Sequence, residues 1–128
     1  MKSTIIVKIK GGIGNQLFTY SAARRLALIN NAEILIDSKT GFRSDAKYKR
    51  EYALDRFHVS PAICNDKLTP RVLSKLYNRG NKLLNKLIPF DYRNYIFQEK
   101  MDFDSRLLNL KFEGKIIFEG YWQSASYF

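Results

Sequence analysis

Three glycines in four positions, followed by an amide, give the run Lys10-Gly-Gly-Ile-Gly-Asn-Gln-Leu-Phe18 the clearest chemical potential in the chain. Glycines let a backbone turn sharply and approach a ligand with no side chain in the way. A helix that starts at such a turn offers unpaired N–H groups and the positive end of its dipole, which suit a phosphate or a polar sugar. Within the turn Gly12, Ile13 and Gly14 would contribute backbone donors. Asn15 adds a side chain that both donates and accepts hydrogen bonds. Asn15 can orient groups but cannot act as a general base, and Gln16 beside it either contacts substrate or begins the helix. The glycine spacing alone is not diagnostic. Leu17 stands where the dinucleotide fingerprint G-x-G-x-x-G requires its third glycine, and no Gly-Lys-Ser/Thr ending marks a P-loop. A plain turn joining strand to helix would leave the same pattern.

The surrounding periodicity supplies the elements such a turn needs. Thr4 to Ile9 reads as a buried strand, and Gln16 to Asn30 as a helix with Leu17, Tyr20, Ala23, Ala27 and Leu28 at helical spacing. Ala32 to Asp37 reads as a second strand, which completes a β-α-β unit of the right-handed parallel kind. Asp37 falls at the carboxyl end of its strand, about 20 residues past the turn, where an acidic group often holds a ribose hydroxyl. Capping of the following loop is the alternative role for it. Residues 38–49 read as a loop, and Arg50 to Phe57 as a short turn or strand. Tyr92 to Gln98 reads as a strand, Asp104 to Leu110 as a short helix, and Lys115 to Tyr121 as a further strand. Gln123 begins another helical stretch. Glu119, near the end of the Lys115–Tyr121 strand, could touch an acceptor or form a cross-strand charge pair. Trp122 is expected in the core rather than stacked on a sugar. The expected fold is α/β, a Rossmann-like parallel sheet with flanking helices, spanning residues 1–128 as one domain.

Composition bounds the partners. A hydrophobic fraction of 45% with nine Phe, eight Tyr and one Trp provides for a packed core. Cys64 and His58 are the only residues of their types, so neither a disulfide within the chain nor a Cys/His metal cluster is available. No apolar run resembles a signal peptide or a membrane span, so the expected location is the cytoplasm or its membrane face. The net charge of +10 draws attention to anionic partners. Much of it maps to a helix expected from Pro70 to Ile88, capped by Thr69 and closed by Pro89. Arg71, Lys75, Arg79, Lys82 and Lys86 fall within roughly 80° of one another on that helix, with Leu73, Leu76, Tyr77, Leu83, Leu84 and Leu87 on the opposite side. Such a face can lie on anionic lipid; a solvated lysine face is the alternative. Nucleic acid is not an expected partner, because no RNA-stacking signature accompanies the charge.

Three stretches together resemble the bacterial α-1,2-fucosyltransferases of glycosyltransferase family 11. The glycine run is similar to that family's G-G-[LI]-G-N-Q-[LM]-F opening. Arg50-Glu-Tyr-Ala-Leu-Asp-Arg-Phe57 resembles its R-x-Y-x-L-x-x-F segment, and Glu119-Gly-Tyr-Trp-Gln-Ser-Ala-Ser-Tyr-Phe128 its G-Y-[WF]-Q-S-x-x-Y-F segment. The resemblance implies an inverting, metal-independent enzyme without a cofactor, with two Rossmann-like domains facing a cleft in the GT-B arrangement. Its donor would be GDP-fucose and its acceptor the 2-hydroxyl of a galactose-terminated glycan. Asn15 is the residue that the resemblance places against the donor or the reacting centre. The family's later H-x-R-x-G-D donor motif is missing, since His58 is followed by Val59 and Ser60. The chain is therefore expected to be an amino-terminal portion, inactive by itself. A non-catalytic Rossmann-like binding protein is the other reading of the same absence.

Overall fold

A computed structural model describes residues 2–59, 61–64, 80 and 82–128 of the chain. Among these residues five parallel strands form one sheet: β1 (Thr4–Lys8), β2 (Glu33–Asp37), β3 (Ala62–Ile63), β4 (Tyr95–Phe97) and β5 (Lys115–Glu119), ordered β3-β2-β1-β5-β4. The chain builds outward from β1 to β3 on one side, then returns to β4 at the far edge and inserts β5 beside β1. The carboxyl ends of β1 and β5 therefore meet at the middle of the sheet, with Lys8 level with both Asp37 and Glu119. In open parallel sheets this central carboxyl edge is where ligands bind. The α/β, Rossmann-like reading of the sequence matches this architecture.

Alternation along the strands decides what each face carries. Ile5, Val7 and Ile9 of β1 and its extension, Ile36 of β2, Ile96 of β4, and Ile116 and Phe118 of β5 belong to the main core. Helix α1 (Ile13–Ile29) packs on that core with Tyr20, Ala22, Ala23, Leu26 and Ala27. The residues between them, Lys8, Tyr95 and Glu119, point to the second face. Removing Phe118 and Trp122 from water, each at 0% exposure, contributes on the order of 2–3 kcal/mol apiece. The two rings stack at 4.8 Å with 15° between planes, so Trp122 is a core residue, as its surroundings in the sequence suggested.

Several element boundaries differ from those expected. Helix α1 starts at Ile13, because the Gln16 N–H already closes a turn on the Gly12 carbonyl at 3.0 Å. Gly14 and Asn15 thus lie in the first helical turn. Strand β5 stops at Glu119, two residues early, because Gly120 (φ 143°) and Trp122 (φ 49°) leave extended geometry. The helix expected from Gln123 is a single 3-10 turn, Ala125–Tyr127, and that expected from Asp104 is the 3-10 segment Ser105–Asn109, capped by the Asp104 carboxylate. The glycine at 120 is obligatory on two counts. A Cβ there would stand 2.7 Å from Gln98 Cβ and 2.8 Å from Trp122 Nε1, in a conformation that L-residues avoid. Gly120→Ala should cost about 1–3 kcal/mol, seen as a lower urea midpoint; an unchanged midpoint would mean that the turn relaxes freely.

Of the long basic helix expected over 70–88, residues 65–79 and 81 lie outside the described residues, Arg71, Lys75 and Arg79 among them. Residues 82–87 are helical, and of their two lysines Lys86 is exposed. Asn85 is buried and donates to the Tyr95 carbonyl at 2.6 Å, and Lys82 turns toward Glu119. Leu83, Leu84 and Leu87 are exposed instead. Lys82 and Asn85 face inward because the second face of the sheet presents a carboxylate and an open strand carbonyl, which apolar groups would leave unpaired.

Candidate functional site

At the glycine turn, three stretches far apart in sequence come together. Gly11 has φ 78°, and a Cβ on it would strike Asn15 Nδ2 at 2.8 Å and Tyr121 Cε1 at 3.0 Å. Buried Gln16 is the clamp. Its Nε2 donates to the Gly11 carbonyl (3.0 Å) and the Glu51 carbonyl (2.9 Å), while its Oε1 accepts from the Ala53 N–H at 2.9 Å. The buried Thr19 hydroxyl lies 2.8 Å from the Gly120 carbonyl and 2.9 Å from the Asn15 carbonyl, tying α1 to the end of β5. Gln123 Nε2 donates to Asn15 Oδ1. The runs 10–18, 50–57 and 119–128 are thus one assembled structure around the start of α1.

The turn is open toward solvent. Ile13 and Gly14 are exposed, nothing lies within 4 Å of where a Cβ on Gly14 would sit, and no acidic residue occupies the first turn of α1. The first N–H groups of the helix and the Asn15 amide therefore face a space that suits an anion or sugar hydroxyls. Gly12, Ile13, Gly14 and Asn15 lie together at this opening, whereas Gln16 sits behind it with its amide engaged by backbone. Asp37 is at the same edge, but its carboxylate accepts from the Lys39 and Thr40 N–H groups at 3.1 and 3.0 Å and from the Thr40 hydroxyl, so it caps the loop that follows.

Glu119 stands across the carboxyl edge, on the second face, with Lys10 and Tyr121 between it and the turn. The Lys10 ammonium lies 5.1 Å from the Tyr121 ring centre and 3.4 Å from Glu119 Oε1. Lys82 reaches the same oxygen at 3.7 Å, Lys8 lies 3.9 Å from Oε2, and the Tyr95 hydroxyl donates to Oε2. Burial alone would raise the pKa of this carboxyl. The Tyr95 hydroxyl and the three ammonium groups outweigh it and hold the carboxyl below its ordinary value. Burial pulls Lys8 below the usual lysine range even with Glu119 and Asp37 nearby. It also pushes the Tyr95 phenol up, reinforced by the hydrogen bond to Glu119. Glu119 is therefore a fixed anion, suited to accept hydrogen bonds from hydroxyls rather than to take up a proton.

Local sequence pattern points to Glu119 without its partners Lys8, Lys10, Lys82 and Tyr95, and to Asn15 without Gln123 and Thr19. One signal was present: Ile6, Lys8 and Lys10 alternate with Val7 and Ile9, which puts both lysines on one face at the end of β1. A wide depression of about 690 Å³ lies at the opposite, amino-terminal end of the strands, between Lys2, Arg24, Glu33 and His58. Among the described residues, no three His, Cys, Asp or Glu side chains converge as a metal site requires, and no helix is long and apolar enough to cross a membrane.

No family model and no solved structure matches the chain. Among curated proteins, an alpha-1,2-colitosyltransferase of Escherichia coli is 22% identical over 130 residues, covering 98% of this chain. The chain spans about two fifths, 41%, of that relative's length. The similarity supports a relationship with a glycosyltransferase.

Proposed function

We propose that the chain is the amino-terminal, Rossmann-like portion of a two-domain inverting glycosyltransferase, which moves fucose from GDP-fucose to the 2-hydroxyl of a galactose-terminated glycan. The observation that carries this reading is the assembly around α1. The three segments that resemble fucosyltransferase motifs lock together through Gln16, Thr19 and the Asn15–Gln123 contact, and leave the Asn15 amide at an open helix start. The α-1,2 linkage in the name of the colitosyltransferase agrees with the linkage that the resemblance implies.

In the proposed reaction the acceptor 2-oxygen attacks the anomeric carbon, while the bond from that carbon to the diphosphate breaks and its electron pair leaves with the diphosphate. The proton of the hydroxyl passes to a base outside the groups named here. Asn15 holds the reacting sugar or its phosphate by hydrogen bonds, and the N–H groups at the start of α1 oppose the charge that develops on the leaving group. Glu119 orients an acceptor hydroxyl.

Loss of a hydrogen bond to a charged group is worth about 1.5–3 kcal/mol, so Asn15→Ala should slow transfer roughly ten- to a hundredfold. Its melting temperature should move little, because the substitution releases only a partly exposed contact to Gln123. Radiolabelled GDP-fucose is the donor for this assay, run on the longer protein of which the chain is proposed to be the first part. Unchanged turnover retires the assignment of Asn15. A large loss of stability with proportionate loss of turnover makes it a turn-former.

A further inference from the structure

Beyond the turn, the second face of the sheet carries a cationic cluster, three ammonium groups against two nearby carboxylates among the described residues. Lys8, Lys10 and Lys82 come from two separate elements and converge on one carboxylate, Glu119, whose side chain is 15% exposed. Lys10 and Lys82 share a single oxygen of it. Lys8, with a side chain only 12% exposed, sits deepest and also lies 3.3 Å from the Tyr95 hydroxyl, which itself donates to Glu119. The other nearby carboxylate, Asp37, is level with Lys8 in the sheet but turns its oxygens to the Lys39 and Thr40 groups. Ammonium groups held this close repel one another, and partial burial removes the water that would screen them. Burial holds Lys8 below the ordinary lysine value, with smaller downward contributions from Lys82 and Lys10.

We propose that Lys8, Lys10 and Lys82 form a binding site for the diphosphate group of a substrate, with Glu119 occupying part of the site when it is empty. The site lies at the carboxyl edge where β1 and β5 meet, joined to the glycine turn through Lys10 and Tyr121. A diphosphate supplies two or more negative charges in one compact group, which a cluster of point-charge ammoniums matches. Lys10 and Lys82 are the rim, 27% and 41% exposed, and can swing from Glu119 to an entering anion. The choice of a diphosphate among anions rests on the glycosyl-transfer reading; the cationic site does not. A nucleotide donor or an isoprenyl-diphosphate-linked acceptor would present the same group.

Calorimetric titration of the 128-residue chain with inorganic pyrophosphate at low ionic strength tests the site. Lys10→Gln and Lys82→Gln should each weaken binding by on the order of tenfold, and neither removes a core side chain. Lys86→Gln, an exposed lysine on the same helical segment, should leave binding unchanged. Glu119→Gln should tighten it, since the internal competitor is neutralised while the amide can still accept from Tyr95. Parallel titrations with GDP and with geranyl diphosphate assign the source, the tighter ligand naming the nucleotide or the lipid. Absence of pyrophosphate binding, or equal weakening by Lys86→Gln, overturns the proposal even if the longer protein transfers fucose. Specific pyrophosphate binding without any transfer leaves the site standing and retires the fucosyl reading.

Discussion

Gln16→Leu is expected to destabilise the chain by about 3–5 kcal/mol, a large part of the 5–15 kcal/mol typical of a domain. Leucine is close in size, so the cost is not mainly a cavity. It arises because the Gly11 and Glu51 carbonyls and the Ala53 N–H lose their partner together, the Gly11 and Ala53 groups in buried surroundings. Each such orphan costs about 1–3 kcal/mol, with some recovered as the 51–53 segment relaxes outward. Gln16→Glu should be nearly as damaging, since a carboxylate would face two carbonyls with no proton to donate. Urea unfolding of the three proteins measures this directly. A loss below about 1 kcal/mol for Gln16→Leu would show that the 51–53 segment is not held by this amide. The consequence for function is positional: with the clamp gone, the start of α1 and the Asn15 amide lose their fixed place relative to residues 50–57.

The same residue marks the boundary of what the sequence discloses. The β1-α1-β2 unit is legible because each element announces itself locally, through apolar runs, helical spacing and the Asn30-Asn31 stop, where Asn31 takes φ 48°. The sequence pattern puts the start of α1 at Gln16 rather than Ile13 because glycine disfavours helix, and the closing bond from the Gln16 N–H to the Gly12 carbonyl leaves no mark in composition. The role of Gln16 was hidden for a different reason. Its partners at 51 and 53 are 35 and 37 positions away, and no local pattern encodes a pairing at that distance. Gln123 meets Asn15 across 108 positions, and Tyr95 meets Glu119 across 24. Helical geometry assigns Lys82 to a basic face for anionic lipid or solvent, yet its ammonium lies 3.7 Å from a carboxylate on another element. Periodicity identifies which residues share a face; the charge presented by the opposing element decides which way that face turns.

Glu119→Ala tests that last point and should cost about 3–5 kcal/mol near neutral pH, the range for removing one partner of a mostly buried ionic group. Three ammoniums would lose their shared counter-charge, and the Tyr95 hydroxyl its acceptor. Glu119→Gln should cost less, because the amide oxygen can still accept from Tyr95. The difference between wild type and Glu119→Gln isolates the charge and carries a definite pH dependence. Since the folded protein holds this carboxyl below its unfolded value, its contribution is complete above the ordinary carboxylate range, about pH 4.3. It fades as pH falls through the lowered folded value. Melting temperatures of the two proteins should therefore differ at pH 7 and converge in acid. A gap that stays constant between neutral and acidic pH would show that the charge of Glu119 contributes nothing to the fold. The cationic cluster adds a further expectation: saturating pyrophosphate should restore part of the stability of Glu119→Gln, because an anion that binds only the folded chain replaces the charge that was removed. Stabilisation of Glu119→Gln smaller than that of wild type would mean that the carboxylate and the diphosphate do not compete for the same lysines.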